Sequence, residues 1–282
     1  MNKFTTNQLK MAVLPIHKYF VFNNEIRPNE VFVPAENEGG IYEVLRVVKG
    51  IPLFLNDHLE RFFHSAQLAG KVIPYTENQI KEFLDNLIVK NETPEGNVLI
   101  SSKVNLKAFF IPHNYPTNEM YSEGVYCGIL KAERDNPNAK VFQTTVRQSA
   151  DKLLAEMGFY EVLLVDNLGK ITEGSRSNVF FVSGNKLLTA PPDKVLLGIT
   201  RQKTIQLATN LGIQVHEAEI DLNELKNYSS AFITGTSPKI LPIKKIGQFN
   251  FNPKHEIVRL LMKSYNEMIE DYLGLWQHSK EI

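Results

Sequence analysis

A polar run from Lys131 to Lys140, holding Asp135-Asn136-Pro137-Asn138, does most to limit the folds open to this chain. Proline and asparagine both favour turns over regular elements, so neither a helix nor a strand continues through it. At 282 residues the chain also exceeds the usual size of one domain. Two domains follow from the two observations: 1–130 and 131–282, with a linker near 131–139. A hydrophobic content of 43% is enough for real cores. The 31 Lys and Arg residues balance 31 Asp and Glu, so no global field draws the protein to nucleic acid or an anionic membrane.

The N-terminal stretch Met1 to Pro15 has no apolar core of signal-peptide length, and no later run approaches the roughly eighteen apolar residues of a membrane span. The expectation is a protein that is neither exported nor membrane-spanning. The single cysteine, Cys127, lies in the strand-like run Gly124 to Leu130 and has no intramolecular disulfide partner. It reads as a buried inert thiol in a reducing cytoplasm.

The first half opens as sheet. Lys18 to Phe22, Val31 to Val33, Ile41 to Val48 and Pro52 to Leu55 read as strands, the last two joined at Lys49-Gly50. Helices follow, one capped by Asp57 with Glu60 and one over Glu77 to Val89, before paired strands Asn97 to Ser102 and Lys107 to Ile111. In the second half, Val146, Ala150, Leu153, Leu154 and Met157 mark one helix face. Strands follow at Tyr160 to Val165 and Asn178 to Val182, separated by a turn around Asn167 to Lys170. A helix opens at Thr200 and ends near Gly212. A short element capped by Asp221, a strand from Ser230 to Ile233 and a long helix from His255 to Leu275 complete the chain.

No P-loop, dinucleotide fingerprint, zinc motif or serine-nucleophile elbow is present, and the scattered histidines suggest no metal. Anion-binding hints remain. Gly198-Ile199-Thr200 leads into a helix whose first N–H groups lack intrahelical acceptors, and Thr234-Gly235-Thr236-Ser237 is a donor-rich turn after a strand. Taken singly, these are an ordinary threonine cap and an ordinary polar turn. Arg61, off the centre of its helix's apolar stripe, is either solvated or turned to an anion. Glu173 is a carboxylate flanked by apolar runs and needs a cationic or hydrogen-bonding partner. Lys140 precedes Val141 and Phe142, although surface exposure is the default for a lysine.

In their order along the chain these residues resemble the class IV, or fold type IV, pyridoxal-phosphate enzymes. That family includes branched-chain and D-amino-acid aminotransferases and aminodeoxychorismate lyase. The resemblance runs from about Gly39 to the end. Gly39-Gly40-Ile41-Tyr42-Glu43-Val44, His58-Leu59-Glu60-Arg61 and Ser65-Ala66 are similar to the D-amino-acid enzymes. Lys140 stands where the family has its Schiff-base lysine. Thr172-Glu173-Gly174-Ser175 with Ser177-Asn178 is similar to its acidic motif, and Leu197-Gly198-Ile199-Thr200-Arg201 and Gly235-Thr236-Ser237 to its phosphate turns.

The resemblance implies pyridoxal 5'-phosphate as cofactor, with Lys140 as anchor and acid–base catalyst and Glu173 at the pyridine nitrogen. It places Arg61, Ile199, Thr200 and Thr236 on the phosphate. Tyr42 would line the substrate pocket, with Ser237 a candidate beside it. The implied fold is α/β (α+β): a smaller N-terminal α/β domain and a larger C-terminal β-barrel-like domain with helices. The cofactor would lie between them, in a homodimer whose neighbouring chain completes each pocket.

The implied activity exchanges amino and oxo groups between a branched-chain or D-type amino acid and a 2-oxo acid. Aminodeoxychorismate lyase chemistry, releasing pyruvate, is the alternative. A non-catalytic phosphate-ligand binder is a second. The Tyr-x-Arg of branched-chain enzymes and the arginine trap of D-amino-acid enzymes are missing from Asn97-Val98-Leu99-Ile100-Ser101-Ser102. Thr144 and Thr145 replace the lyase's arginine and the branched-chain enzymes' tyrosine. Arg27, Arg46, Lys103, Lys107, Arg176 and Ser237 remain unranked candidates to bind the substrate carboxylate.

Overall fold

A computed structural model describes residues 13–34, 40–142 and 144–280. The N-terminal residues through 12, and Gly39 where the resemblance starts, lie outside them. The chain forms two compact units: Met1–Asn114 with Ala139–Phe142, and Tyr115–Asn138 with Gln143–Ile282.

In the first unit, strands β1 (Tyr19–Phe22), β2 (Glu25–Pro28), β3 (Ile41–Val48), β4 (Ile51–Pro52), β5 (Gly96–Ser102) and β6 (Leu106–Ile111) make an antiparallel sheet ordered β2-β1-β6-β5-β3-β4. The expected hairpin at Lys49-Gly50 is present, with φ of 52° and 76° and Val48 opposite Ile51. Two left-handed residues match the twist of the strands they join. Val31 to Val33 is not a strand: Asn29–Val31 is a 3-10 turn, and β1 pairs instead with Glu25–Pro28. Asn23, at φ 57°, closes that earlier hairpin, because asparagine tolerates the left-handed region better than most residues.

Helices α1 (Leu55–Leu68) and α2 (Glu77–Asn91) follow β4 and precede β5. Thr76 and Gln79 form a capping box on α2. Asp57 does not cap α1. That helix starts at Leu55 behind a left-handed Phe54, which cuts short the expected strand Pro52 to Leu55 and leaves Asp57 in the first turn, where its charge faces the positive dipole end. Strand β3 alternates strictly between buried and half-buried residues. Its Ile41, Glu43, Leu45 and Val47 share one face, and Tyr42, Val44 and Arg46 the other. On that second face Phe20, Leu99 and Phe109 form a core with Phe22, Phe32, Tyr42, Val44, Ile111 and Phe142 packed against it.

The second unit holds α3 (Asn118–Glu123), β7 (Val125–Lys131), α4 (Thr144–Met157), β8 (Glu161–Val165), β9 (Lys170–Gly174), β10 (Asn178–Ser183) and β11 (Lys186–Thr189). It continues with α5 (Ile199–Asn210), β12 (Gln214–Glu217), β13 (Ile220–Asp221), β14 (Ser230–Gly235), β15 (Lys239–Ile246), β16 (Phe249–Asn250) and α6 (Glu256–Lys280). The strands form a curled, mixed sheet ordered β12-β11-β10-β14-β15-β7-β8-β9-β13, with β16 beside β15. Strand β7 ends at Lys131, the first residue of the polar run, and pairs in parallel with β8 and β15; the run belongs to the second unit up to Asn138.

Residues of alternate parity split the faces of β10 and β14. Val179, Phe181, Ala231 and Ile233 enter a core with Cys127, Leu163 and Ile243. Phe180 and Phe232 stack on the other side at 5.1 Å, where α5 packs on β14. Cys127 is buried, and burial pushes its thiol well above the usual range, as an inert thiol requires. Of the apolar face expected on α4, Ala150 is buried while Met157 is 60% exposed at the helix end. No helix among the described residues is long and apolar enough to cross a membrane.

Candidate active site

In the first unit, β3 and α1 bring three polar side chains together. Glu43, on the face of β3 that meets α1, is completely buried. Arg61 donates to both of its oxygens, through Nε at 2.7 Å and Nη2 at 2.7 Å, and His58 Nδ1 lies 2.9 Å from Oε2. His58 and Arg61 stand three residues apart on α1 and so project side by side. Burial by itself raises the Glu43 carboxyl, but the Arg61 charge and the His58 and Arg61 hydrogen bonds outweigh it and hold the group at about 2. Burial lowers the His58 pKa, and the Arg61 and Lys140 cations act in the same direction against Glu43. A neutral ring donating from Nδ1 satisfies this arrangement.

Lys140 belongs to the short segment that extends the edge of β3. Its N–H donates to Ser65 Oγ of α1 at 3.1 Å, and its carbonyl accepts from Tyr42 N–H at 3.1 Å. Val141 bridges to Ile41, and Phe142 N–H donates to Gly40 O at 2.9 Å. These bonds fix the backbone and explain why Lys140 is half-buried rather than solvated. Its Nζ lies 4.9 Å from the centre of the Tyr42 ring, which stacks on Phe142 at 4.1 Å.

In the second unit Glu173 sits on β9 rather than between strands, and is 3% exposed. Arg134 Nε approaches Oε1 at 3.1 Å, Leu196 N–H donates to Oε2 at 3.1 Å, and Asn178 Nδ2 donates to Oε2 at 3.5 Å and to Leu196 O at 2.8 Å. Arg134 Nη2 also donates to Ser175 O at 2.7 Å. The turn after Glu173 is built on a second buried carboxylate, Glu161. It accepts from the N–H groups of Val162, Ser175 and Arg176 and from the hydroxyls of Ser175 and Ser177. So many donors saturate Glu161 and give it a purely structural task.

Asn178 of β10 lies opposite Thr234 of β14, on the face that carries α5. The cap of α5 is Gly198, without a side-chain cap bond, and the first helical residue is Ile199; Thr200 is therefore not the cap. A Cβ at Gly198 would lie 2.2 Å from Asn178 Oδ1, so any other residue there obliges the Asn178 side chain to move. With no side chain serving the helix start, the N–H groups of Ile199 and Thr200 are placed for an anion. Thr234 Oγ1 is buried without a hydrogen-bond partner, and Thr236 and Ser237 follow it half-buried.

The half-buried lysine of the first unit is of a type that pyridoxal phosphate requires, and so, within the second unit, are the buried carboxylate held by an arginine, the glycine-capped helix start and the orphaned hydroxyl. Arg61, Tyr42 and Lys140 belong to the first unit, with Lys140 against Tyr42 and Arg61 against Glu43 on the other face of β3; Glu173, Ile199 and Thr200 belong to the second, with Thr236 and Ser237 near the end of β14. Arg27 instead pairs with Glu25, Arg176 with Asp151, and Lys103 is exposed. Glu43 and Arg134 escaped sequence reasoning. Arg134 lay within the polar run taken as a linker. Glu43 lay in a quoted segment without a role, although the His58/Arg61 spacing signals a shared partner.

The chain matches the family model described as amino-transferase class IV over residues 40–246. It is 27% identical over 281 residues to a probable branched-chain-amino-acid aminotransferase of Rickettsia bellii, covering 89% of this chain and 96% of the relative. It is 28% identical over 257 residues to the D-alanine aminotransferase of Listeria monocytogenes, covering 81% of this chain and 87% of the relative. The branched-chain amino acid aminotransferase of Escherichia coli shares the fold, with a TM-score of 0.81 over 90% of this chain and 95% of that one at 19% identity. That of Thermobaculum terrenum, in its pyridoxal-phosphate form, gives 0.77 over 90% and 94% at 25% identity. With the matched segment running from the start of β3 to the end of β15, the chain belongs to the class IV aminotransferases, a pyridoxal-phosphate-dependent family.

Proposed function

We propose that this aminotransferase moves an amino group between an amino acid of branched-chain or D type and a 2-oxo acid, with Lys140 binding the cofactor covalently. The observation that carries the reading is the backbone-locked, half-buried Lys140 with its amine against the Tyr42 ring. Pyridoxal phosphate, when bound, supplies an electron sink for negative charge at the substrate α-carbon.

With the cofactor in place, the Lys140 amine would be the group that holds the proton moved to and from that carbon. Glu173 would accept the hydrogen bond of the ring nitrogen, and Arg134, Asn178 and the Leu196 N–H keep its carboxylate in place. Arg61, the N–H groups of Ile199 and Thr200, and Thr236 would be the groups to hold the phosphate. Tyr42 and Phe142 form an apolar wall beside the lysine, and Ser237 contributes to the substrate side. The substrate class is supported by the names of the curated relatives, a branched-chain and a D-alanine enzyme. A homodimer in a reducing cytoplasm completes the proposal.

The test is the visible spectrum before and after borohydride, in the wild type and in Lys140→Ala, followed by a panel of L- and D-amino acids. Borohydride should fix the cofactor to the wild type and not to the variant, and at least one amino acid should yield its oxo acid. A wild type that traps no cofactor rejects Lys140; a wild type inert to the whole panel rejects the substrate reading.

A further inference from the structure

We propose that Lys107 receives a carboxylate of the substrate, in place of the arginines that this chain lacks. The inference rests on the placement of Lys140 at the reacting centre. Strand register sets Phe22 opposite Lys107, Lys107 opposite Ser101, and Ser101 opposite Tyr42. Directly opposed residues project from the same face, so these four form one row across β1, β6, β5 and β3. Each step spans about 5 Å, which sets the Lys107 backbone about 10 Å from that of Tyr42. The Lys140 amine stands at the Tyr42 end of this row, and the four-carbon stem of Lys107 sweeps the gap from the other end.

The other candidate cations are placed further off or paired. Arg46 projects from the same face but lies opposite Asn97, about 13 Å further along β3. Arg27 and Arg176 are tied to Glu25 and Asp151, and Lys103 is exposed.

The surroundings of Lys107 favour an incoming anion. The side chain is half-buried; its Nζ donates to Val33 O at 3.1 Å and lies 5.1 Å from the centre of the Phe32 ring. Among the described residues the ammonium meets a carbonyl and a ring face but no carboxylate. Burial lowers its pKa, and no neighbouring charge contributes to the shift. A cation stripped of part of its water and given no counter-charge gains more from a carboxylate than a solvated one does. Ser101, 7% exposed, adds a hydroxyl between Lys107 and Tyr42. The floor of the same face is Phe20, Leu99 and Phe109 with Val44, which suits an aliphatic side chain.

Holoenzyme kinetics of the wild type, Lys107→Met, Lys107→Gln and Lys107→Arg decide the matter. The substrates are an aliphatic monocarboxylic 2-oxo acid, a dicarboxylic 2-oxo acid and, for the half-reaction, an amine without a carboxylate. Lys107→Met should raise KM for an oxo acid about 100-fold with kcat within a few-fold, an unchanged cofactor spectrum and unchanged reaction with the amine. Lys107→Arg should recover most of the loss. A rise for both oxo acids assigns the α-carboxylate to Lys107; a rise confined to the dicarboxylic acid assigns the second carboxylate. Lys107→Gln, uncharged but still a hydrogen-bond donor, decides should the methionine variant fail to fold. Unchanged KM for both acids, or an equal loss with the amine, overturns the proposal. A wild type inert to every substrate instead rejects the aminotransferase reading beneath it.

Discussion

Each unit buries an arginine–carboxylate pair, and the two pairs are built in opposite senses. In the first, the carboxylate is the hidden member: Glu43 is 0% exposed, with Arg61 on both oxygens and His58 on one of them. In the second, the arginine is the support. The Arg134 side chain is 17% exposed and shares itself between Glu173 and the Ser175 carbonyl. The proposed cofactor contact is thus a cation in one unit and an anion in the other. In each, the opposite charge serves to hold it in position and cancel part of its desolvation cost. The carboxylate is the deeper member of both pairs, and each has both of its oxygens engaged.

The comparison breaks most readily at Glu43. Glu43→Gln leaves the Arg61 charge without its counterpart, and urea unfolding should show a loss of about 3–5 kcal/mol. The same variant should bind pyridoxal phosphate more weakly while changing little towards phosphate-free pyridoxal, since Arg61 is the proposed phosphate contact. Acid stability sharpens the point. The folded pKa of Glu43 is about 2 against a reference of 4.5, so its contribution is complete above pH 4.5 and is lost as pH falls towards 2. That shift corresponds to about 3 kcal/mol, and the extra acid sensitivity should vanish in Glu43→Gln.

Arg134→Gln should cost less, about 2 kcal/mol, because the arginine is partly solvated and Glu173 keeps its Leu196 and Asn178 bonds. Its effect on cofactor affinity, on the order of ten-fold, should be equal for pyridoxal with and without phosphate. If Arg134→Gln discriminates between the two, the opposite assignment of the pairs is wrong. Gly198→Ala should have the smallest effect, about 1 kcal/mol by thermal melting, as Asn178 shifts to escape the new methyl group. A fully neutral result would show that the Asn178 link from Glu173 to the start of α5 is loose.

Much of the local structure was legible. Lys49-Gly50 named its hairpin, and Ile41 to Val48 and Glu77 to Val89 read as the strand and the helix they form, although the Thr76–Gln79 capping box went unread. The failures have different causes. At Asn23 a local turn signal went unread, so the chain turned before Val31. At Phe54 the left-handed backbone is one that no propensity favours, and it moved the start of the helix away from the capping signal at Asp57.

By itself the sequence determined the family, through Lys140, Glu173 and two glycine turns in one order, together with the hairpins and caps that need only near neighbours. Tertiary structure decided which charges meet: Glu43 with Arg61, Arg134 with Glu173, and Lys107 in the row of Tyr42. Charged residues carry no periodic mark of their partners. Their pairing depends on strand register and on which helix lands on which face, and these are fixed by packing of the whole unit.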